Sequence, residues 1–174
     1  LPKYFDKEKY DVRVMLPKYM CMKDEWKEKL QYHTHFYMDL NWRKQYVGVL
    51  EMEYDGIKFY FIDNEYYFNG YAPYGDMYAD IEKFAFFSKA VLSALPLIDF
   101  RPDIIHCHDW QTGLVPIYLD NFRYGNEFYR GIKTVMTIHN LKFQGTWDPK
   151  RVRDITGLPQ YYFAPDKLEA YKDA

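Results

Sequence analysis

Two short stretches carry the residue types that chemistry needs. Residues 102–110 read PDIIHCHDW, and residues 133–140 read KTVMTIHN. His106 and His108 sit two apart, so on an extended strand both project to one side. Asp109 follows at once. In the second stretch an apolar run ends abruptly in His139 and Asn140, and Gln144 comes four residues after Asn140, beside Gly145. Three readings fit this set. His-x-His with a third histidine can hold a metal ion for hydrolysis. A group of His, Asp, Asn and Gln can bond a ligand with many hydroxyls, because each amide or carboxylate reaches two adjacent ones. A histidine inside a strand can also be a core residue whose ring nitrogens bond backbone.

Spacing weighs among the three. The chain has five histidines, and none follows His139, whereas hydrolases built on His-x-His gather further ligands from later strands. A metal-dependent hydrolase using His106, His108 and His139 is the weaker reading, and no metal is expected. His106 lies within its strand and reads as a core histidine. His108, at the strand edge, is open to either role. Asp109 suits the cap of a helix beginning at Gln111, a role compatible with ligand binding. Trp110 reads as core. No phosphate-cradling glycines stand beside the histidines, so recognition of a polyhydroxylated ligand is the best chemical reading.

The flanking pattern says what positions these residues. Val12–Leu16 reads as a short buried strand stopped by Pro17. Residues 21–32 are compatible with a helix, with Met22, Trp26 and Leu30 on one side. Two strand-like runs in 46–64 flank Asp55-Gly56, a strong hairpin turn signal. Residues 65–76, rich in Gly, Asn and aromatics, read as loop. Ile81, Phe84, Phe87, Val91 and Leu95 recur at helical spacing over 80–96, with Asp80 as cap and Pro96 as terminator. Then come a strand that runs into a loop over 102–110, a helix at 111–122, a strand at 133–140, a loop at 141–149, and a short helix at 149–157 closed by Gly157. Strand and helix in alternation imply parallel strands joined by crossovers. The expected class is α/β, a Rossmann-like, doubly wound and mostly parallel sheet. Ligands of such sheets bind beyond the carboxyl ends of the strands, where His106, His108, Asp109, His139 and Asn140 fall.

Composition sets outer bounds. A chain of 174 residues with 23 basic and 25 acidic side chains has a formal net charge of −2, which gives no sign of a nucleic-acid or anionic-membrane surface. No apolar run approaches the roughly 20 residues of a membrane span. Cys21 and Cys107 are far apart and form no CxxC pair, which suits a reducing cytoplasm. The 19 tyrosines admit either sugar stacking or plain compositional bias. The chain opens without Met, directly before a strand, and ends in LEAYKDA, a helix-like stretch without a cap. It is expected to be a fragment of a longer protein.

RPDIIHCHDWQTGLVPIYL and KTVMTIHNLKFQGTWD resemble the paired signatures of bacterial glycogen synthases and plant starch synthases. YDVRVMLPKY and FIDNEYYFNGYAPYGD resemble two further segments of that family, in the same order, so the likeness covers essentially the whole chain. The resemblance implies a retaining glucosyltransferase that moves glucose from ADP-glucose to the 4-hydroxyl of an α-1,4-glucan, with no metal and no cofactor. It implies the two-domain GT-B architecture, with residues 1–174 as part of the N-terminal, acceptor-side domain. The first strand with its Lys-x-Gly-Gly loop and the C-terminal domain fall outside this stretch, so transfer is expected of the whole parent and not of this stretch alone. Carried over residue by residue, Asp109 and His139 are the catalytic-site pair. Asp109 bonds sugar hydroxyls. His139 stands beside the reacting glucose near its 6-hydroxyl, its carbonyl facing the developing positive charge. Tyr74 and Asn140 line the sugar site with Gln144, and His108 joins them as a substrate-site residue.

Overall fold

A computed structural model describes residues 2–169, in which the chain divides into two units. The first comprises residues 1–37 and 46–75, the second residues 38–45 and 76–174. Most of the LEAYKDA ending lies outside the described residues.

The first unit is built on a four-stranded sheet in the order β1-β4-β3-β2, from β1 (Arg13–Pro17), β2 (Gln31–Leu40), β3 (Arg43–Tyr54) and β4 (Ile57–Asp63). β1 pairs with β4 in parallel, Arg13 opposite Lys58 and Leu16 opposite Phe61. β3 and β4 are antiparallel across the expected turn, where Asp55 and Gly56 have φ of 54° and 67°. Both central residues in the left-handed region define the hairpin turn that matches strand twist. Val47, Val49, Tyr60, Phe61, Ile62, Tyr67 and Phe68 are buried.

Two local expectations fail here. Residues 21–32 form no helix beyond a single turn, α1 (Asp24–Lys27), without a side-chain cap and without a buried residue. Helical spacing of Met22, Trp26 and Leu30 therefore had no core to bury against, and Trp26 instead meets the Tyr54 ring edge-on at 5.1 Å. The strand β2 went unread because its alternation is aromatic and imidazole rather than aliphatic. Residues 65–76 also hold a short helix, α2 (Glu65–Phe68), because the Asn64 side chain accepts from the Tyr67 amide and caps it.

In the second unit the long helix α3 (Met77–Ala94) presents Ile81, Phe84, Ala85, Ala90, Val91 and Leu92 to the core. Its cap is Asp76, whose carboxylate accepts from Tyr78 N–H at 3.2 Å. Asp80 is one turn inside and buried, bound to Lys83 at 2.6 Å. Pro96 sits in a 3-10 turn, Leu95–Ile98, that Asp99 ends in the left-handed region. Then follow β5 (Ile104–His108), α4 (Val115–Arg123), β6 (Lys133–Thr137) and α5 (Pro149–Thr156). β5 and β6 form a parallel two-stranded sheet. Pro116 occupies the first turn of α4, where its missing N–H costs nothing. Gly157 closes α5 at φ 66°, and a Cβ there would meet Asn41 Cα at 2.9 Å. The class is mixed α/β, with parallel pairs β1–β4 and β5–β6. Among the described residues no helix is long and apolar enough to cross a membrane.

Candidate functional site

The register of β5 on β6 places His106 opposite Val135 and His108 opposite Thr137. Side chains two apart share a face of a strand, so His106, His108, Thr137 and the following His139 rise from one face. Their rings form a column. His106 stacks on His108 with centroids 4.4 Å apart and planes 28° from parallel, and the His108 and His139 rings lie side by side, centroids 5.4 Å apart and planes 19° from parallel. His106 Nε2 lies 2.7 Å from Thr137 Oγ1, and His108 Nδ1 lies 3.1 Å from His139 Nε2. Desolvation, then the neighbouring His106 and His139 rings, holds the His108 imidazole below its ordinary range, while Asp109 pulls the other way.

Asp109 is the pivot. The ladder continues past β5 through its N–H, which donates to Thr137 O at 2.9 Å. Its carboxylate Oδ1 accepts from His139 N–H at 2.6 Å, joining the ends of the two strands. Its backbone has φ 56° and ψ −178°, a region that only glycine enters readily, with a cost of about 1–3 kcal/mol for other residues. Asp109 precedes the 3-10 turn Trp110–Thr112, but its side chain makes no cap bond there. The expected capping role is replaced by the link to His139, because the unusual backbone turns the carboxylate toward β6.

Thr112 fastens the same corner. Its hydroxyl accepts from His108 N–H at 2.7 Å and lies within 2.8 Å of His108 O. Thr112 and Thr137 were not singled out in the sequence, and a threonine among strand residues carries no distinguishing signal. His106 is exposed, so it is no core histidine. The core position of β5 belongs to Cys107, buried, with its thiol pushed up to about 11 by desolvation.

The loop after β6 supplies amides. Asn140 Oδ1 accepts from Lys142 N–H at 2.9 Å, and Gln144 Nε2 donates to Leu141 O at 3.1 Å. Gly145 has φ 66°, and a Cβ there would stand 2.3 Å from Trp110 Cε3. Trp110 is half-buried rather than core, with Phe84 edge-on at 5.1 Å. Trp110, Gln144 and Gly145 border a cavity of about 200 Å³ with Phe84 and Ser88. A cavity of about 250 Å³ in the first unit, beside Arg13 and Lys58, contains none of the site residues. Thus His108, Asp109, His139, Asn140 and Gln144 all stand on β5, β6 and the loops that leave them. Tyr74 belongs to the first unit, on an exposed loop after α2. Among the described residues no group of three or more His, Cys, Asp or Glu is arranged to hold a metal ion. The facing nitrogens of His108 and His139 bond each other instead.

The model of the starch synthase catalytic domain family matches residues 1–174. Glycogen synthase of Lachnoclostridium phytofermentans is 68% identical over 174 residues, which is 100% of this chain and 36% of that protein. Glycogen synthase of Lachnospira eligens is 68% identical with the same coverage. That of Geobacillus stearothermophilus is 48% identical over 172 residues, 98% of this chain and 35% of that protein. Among solved structures, the catalytic domain of starch synthase IV from Arabidopsis thaliana, bound to ADP and acarbose, superposes with a TM-score of 0.75 at 26% identity. It covers 92% of this chain and 33% of its own. The chain spans 36% of the length of the first two curated relatives.

Proposed function

Because the chain belongs to the family of starch synthase catalytic domains, we propose that it is the acceptor-side part of a glycogen synthase of GT-B architecture. The intact enzyme transfers glucose from ADP-glucose to the 4-hydroxyl of an α-1,4-glucan with retention, in the cytoplasm. The observation that carries the reading is the bond from His139 N–H to Asp109 Oδ1 at the strand ends, in a chain 68% identical to glycogen synthases.

The chemistry follows from what these groups can offer. Asp109 spends one carboxylate oxygen on His139 and keeps the other to accept from sugar hydroxyls. Desolvation in a closed site strengthens such charge-assisted bonds. His139 is anchored through its N–H and one ring nitrogen, which leaves Nδ1 for the 6-hydroxyl of the transferred glucose. Its carbonyl faces the anomeric carbon as positive charge grows there. Asn140 donates through its amide, and Gln144 borders the acceptor side. As the bond from the anomeric carbon to the ADP oxygen breaks, the glucan 4-oxygen attacks from the same face. Its proton passes to the departing phosphate oxygen. No cofactor takes part, and ADP-glucose is a substrate. The remaining phosphate contacts belong to a Lys-x-Gly-Gly loop and a second domain in the rest of the intact enzyme.

The test is incorporation of labelled glucose from ADP-glucose into glycogen by the intact protein, with the new linkage assigned by NMR. We expect α-1,4 product. Absence of incorporation from both ADP- and UDP-glucose would refute the assignment.

A further inference from the structure

His108 is a sugar-contacting residue in the reading above, yet its geometry gives it different work. Its Nδ1 faces His139 Nε2 at 3.1 Å, the rings lie 19° from parallel, and its own N–H and C=O are held by Thr112. Thr112 therefore fixes the backbone from which the ring projects. His139, by contrast, sits on an exposed loop, where its backbone N–H is tied to Asp109. The His139 ring meets His108 Nδ1 through its Nε2, with the two ring planes nearly parallel.

We infer that His108 is a positioning residue that sets the orientation and tautomer of His139. This rests on the assignment of His139 to the sugar site. A bond between two imidazole nitrogens needs one donor and one acceptor. If His108 Nδ1 donates, His139 Nε2 accepts and the proton of a neutral His139 sits on Nδ1, which becomes a donor. If His108 Nδ1 accepts, His139 donates through Nε2 and Nδ1 becomes an acceptor. The partner ring thus decides what His139 presents to a hydroxyl, and His108 acts without touching it.

The discriminating variants exploit shape. An asparagine amide stands where an imidazole Nδ1 stands, and a glutamine amide where Nε2 stands. In the intact synthase, His108→Ala and His108→Gln should lower turnover about 3- to 10-fold, the range of one neutral hydrogen bond. His108→Asn, whose amide can take the place of Nδ1, should lose less turnover than either. The loss should fall on the same constant, kcat or KM, that His139→Ala affects, and His108→Ala should add nothing to His139→Ala in the double variant. Equal losses in all three variants, or additive losses with His139→Ala, would overturn the inference and give His108 a direct contact. If His139→Ala itself turns over at the wild-type rate, the site assignment fails, and the inference is then read from 15N-histidine spectra. Movement of the His139 ring resonances in His108→Ala but not in His108→Asn supports it. Unmoved resonances overturn it.

Discussion

At the scale of single residues, Asp109 combines two demands that a sequence cannot display together. Its carboxylate closes the corner between β5 and β6, and its backbone occupies a region suited to glycine. An aspartate kept where glycine would relax the chain marks a group held for its charge. The gathering of polar side chains at the ends of β5 and β6 was legible, because polar groups at strand ends stand out against aliphatic runs. Their partners were not. The pairing of His108 with His139 depends on the strand register, and the exposure of His106 depends on which face of β5 is covered. Gly145 is the position where the loop is most tightly constrained. At φ 66°, with Trp110 Cε3 2.3 Å from where its Cβ would stand, Gly145→Ala must strain the backbone and push the indole aside. We expect about 1–3 kcal/mol of destabilisation, seen as a lower melting temperature with loss of turnover through displaced Gln144. A variant melting with wild type would contradict this picture of the loop.

Among the elements, α3 was read from its apolar period, since a long helix with one buried face announces itself. The strand β2 was missed because tyrosines and histidines do not register as core, and the 21–32 segment was misread because spacing alone says nothing of a surface to bury against. Neither the tip between β2 and β3 nor its role could be read. Within the second unit, residues 38–45 dock on α3 and α5 through charge. Arg43 Nε meets Glu82 Oε1 at 3.3 Å, and Arg43 Nη2 meets Asp154 Oδ2 at 3.1 Å, with the Arg43 and Glu82 side chains 11% and 14% exposed. Asn41 Nδ2 also donates to Asp154 O at 2.6 Å. Removing one member of such a sheltered pair costs more than a surface ion pair contributes. Arg43→Ala should lower the opening free energy of the α3 amides by about 2–4 kcal/mol, measured by native-state hydrogen exchange. Protection equal to wild type would show that the tip is held by other contacts.

On the scale of the whole molecule, alternation of strands and helices in the second half sufficed for the α/β class. The composition excluded little beyond membrane spans and basic nucleic-acid surfaces. Four ordered segments carried the family. The chain spans 36% of the length of the first two curated relatives. The central claim is that Asp109 binds the transferred sugar with its charge, at the ends of β5 and β6. Asp109→Asn tests it most directly. Asparagine keeps the side-chain oxygen that accepts from His139 N–H, so what is lost is the charge and the second acceptor oxygen, which becomes an N–H donor. Steady-state kinetics of the intact enzyme should show turnover reduced roughly 10- to 150-fold, the equivalent of one charge-assisted hydrogen bond, with an unchanged melting temperature. Wild-type turnover in Asp109→Asn would contradict the account.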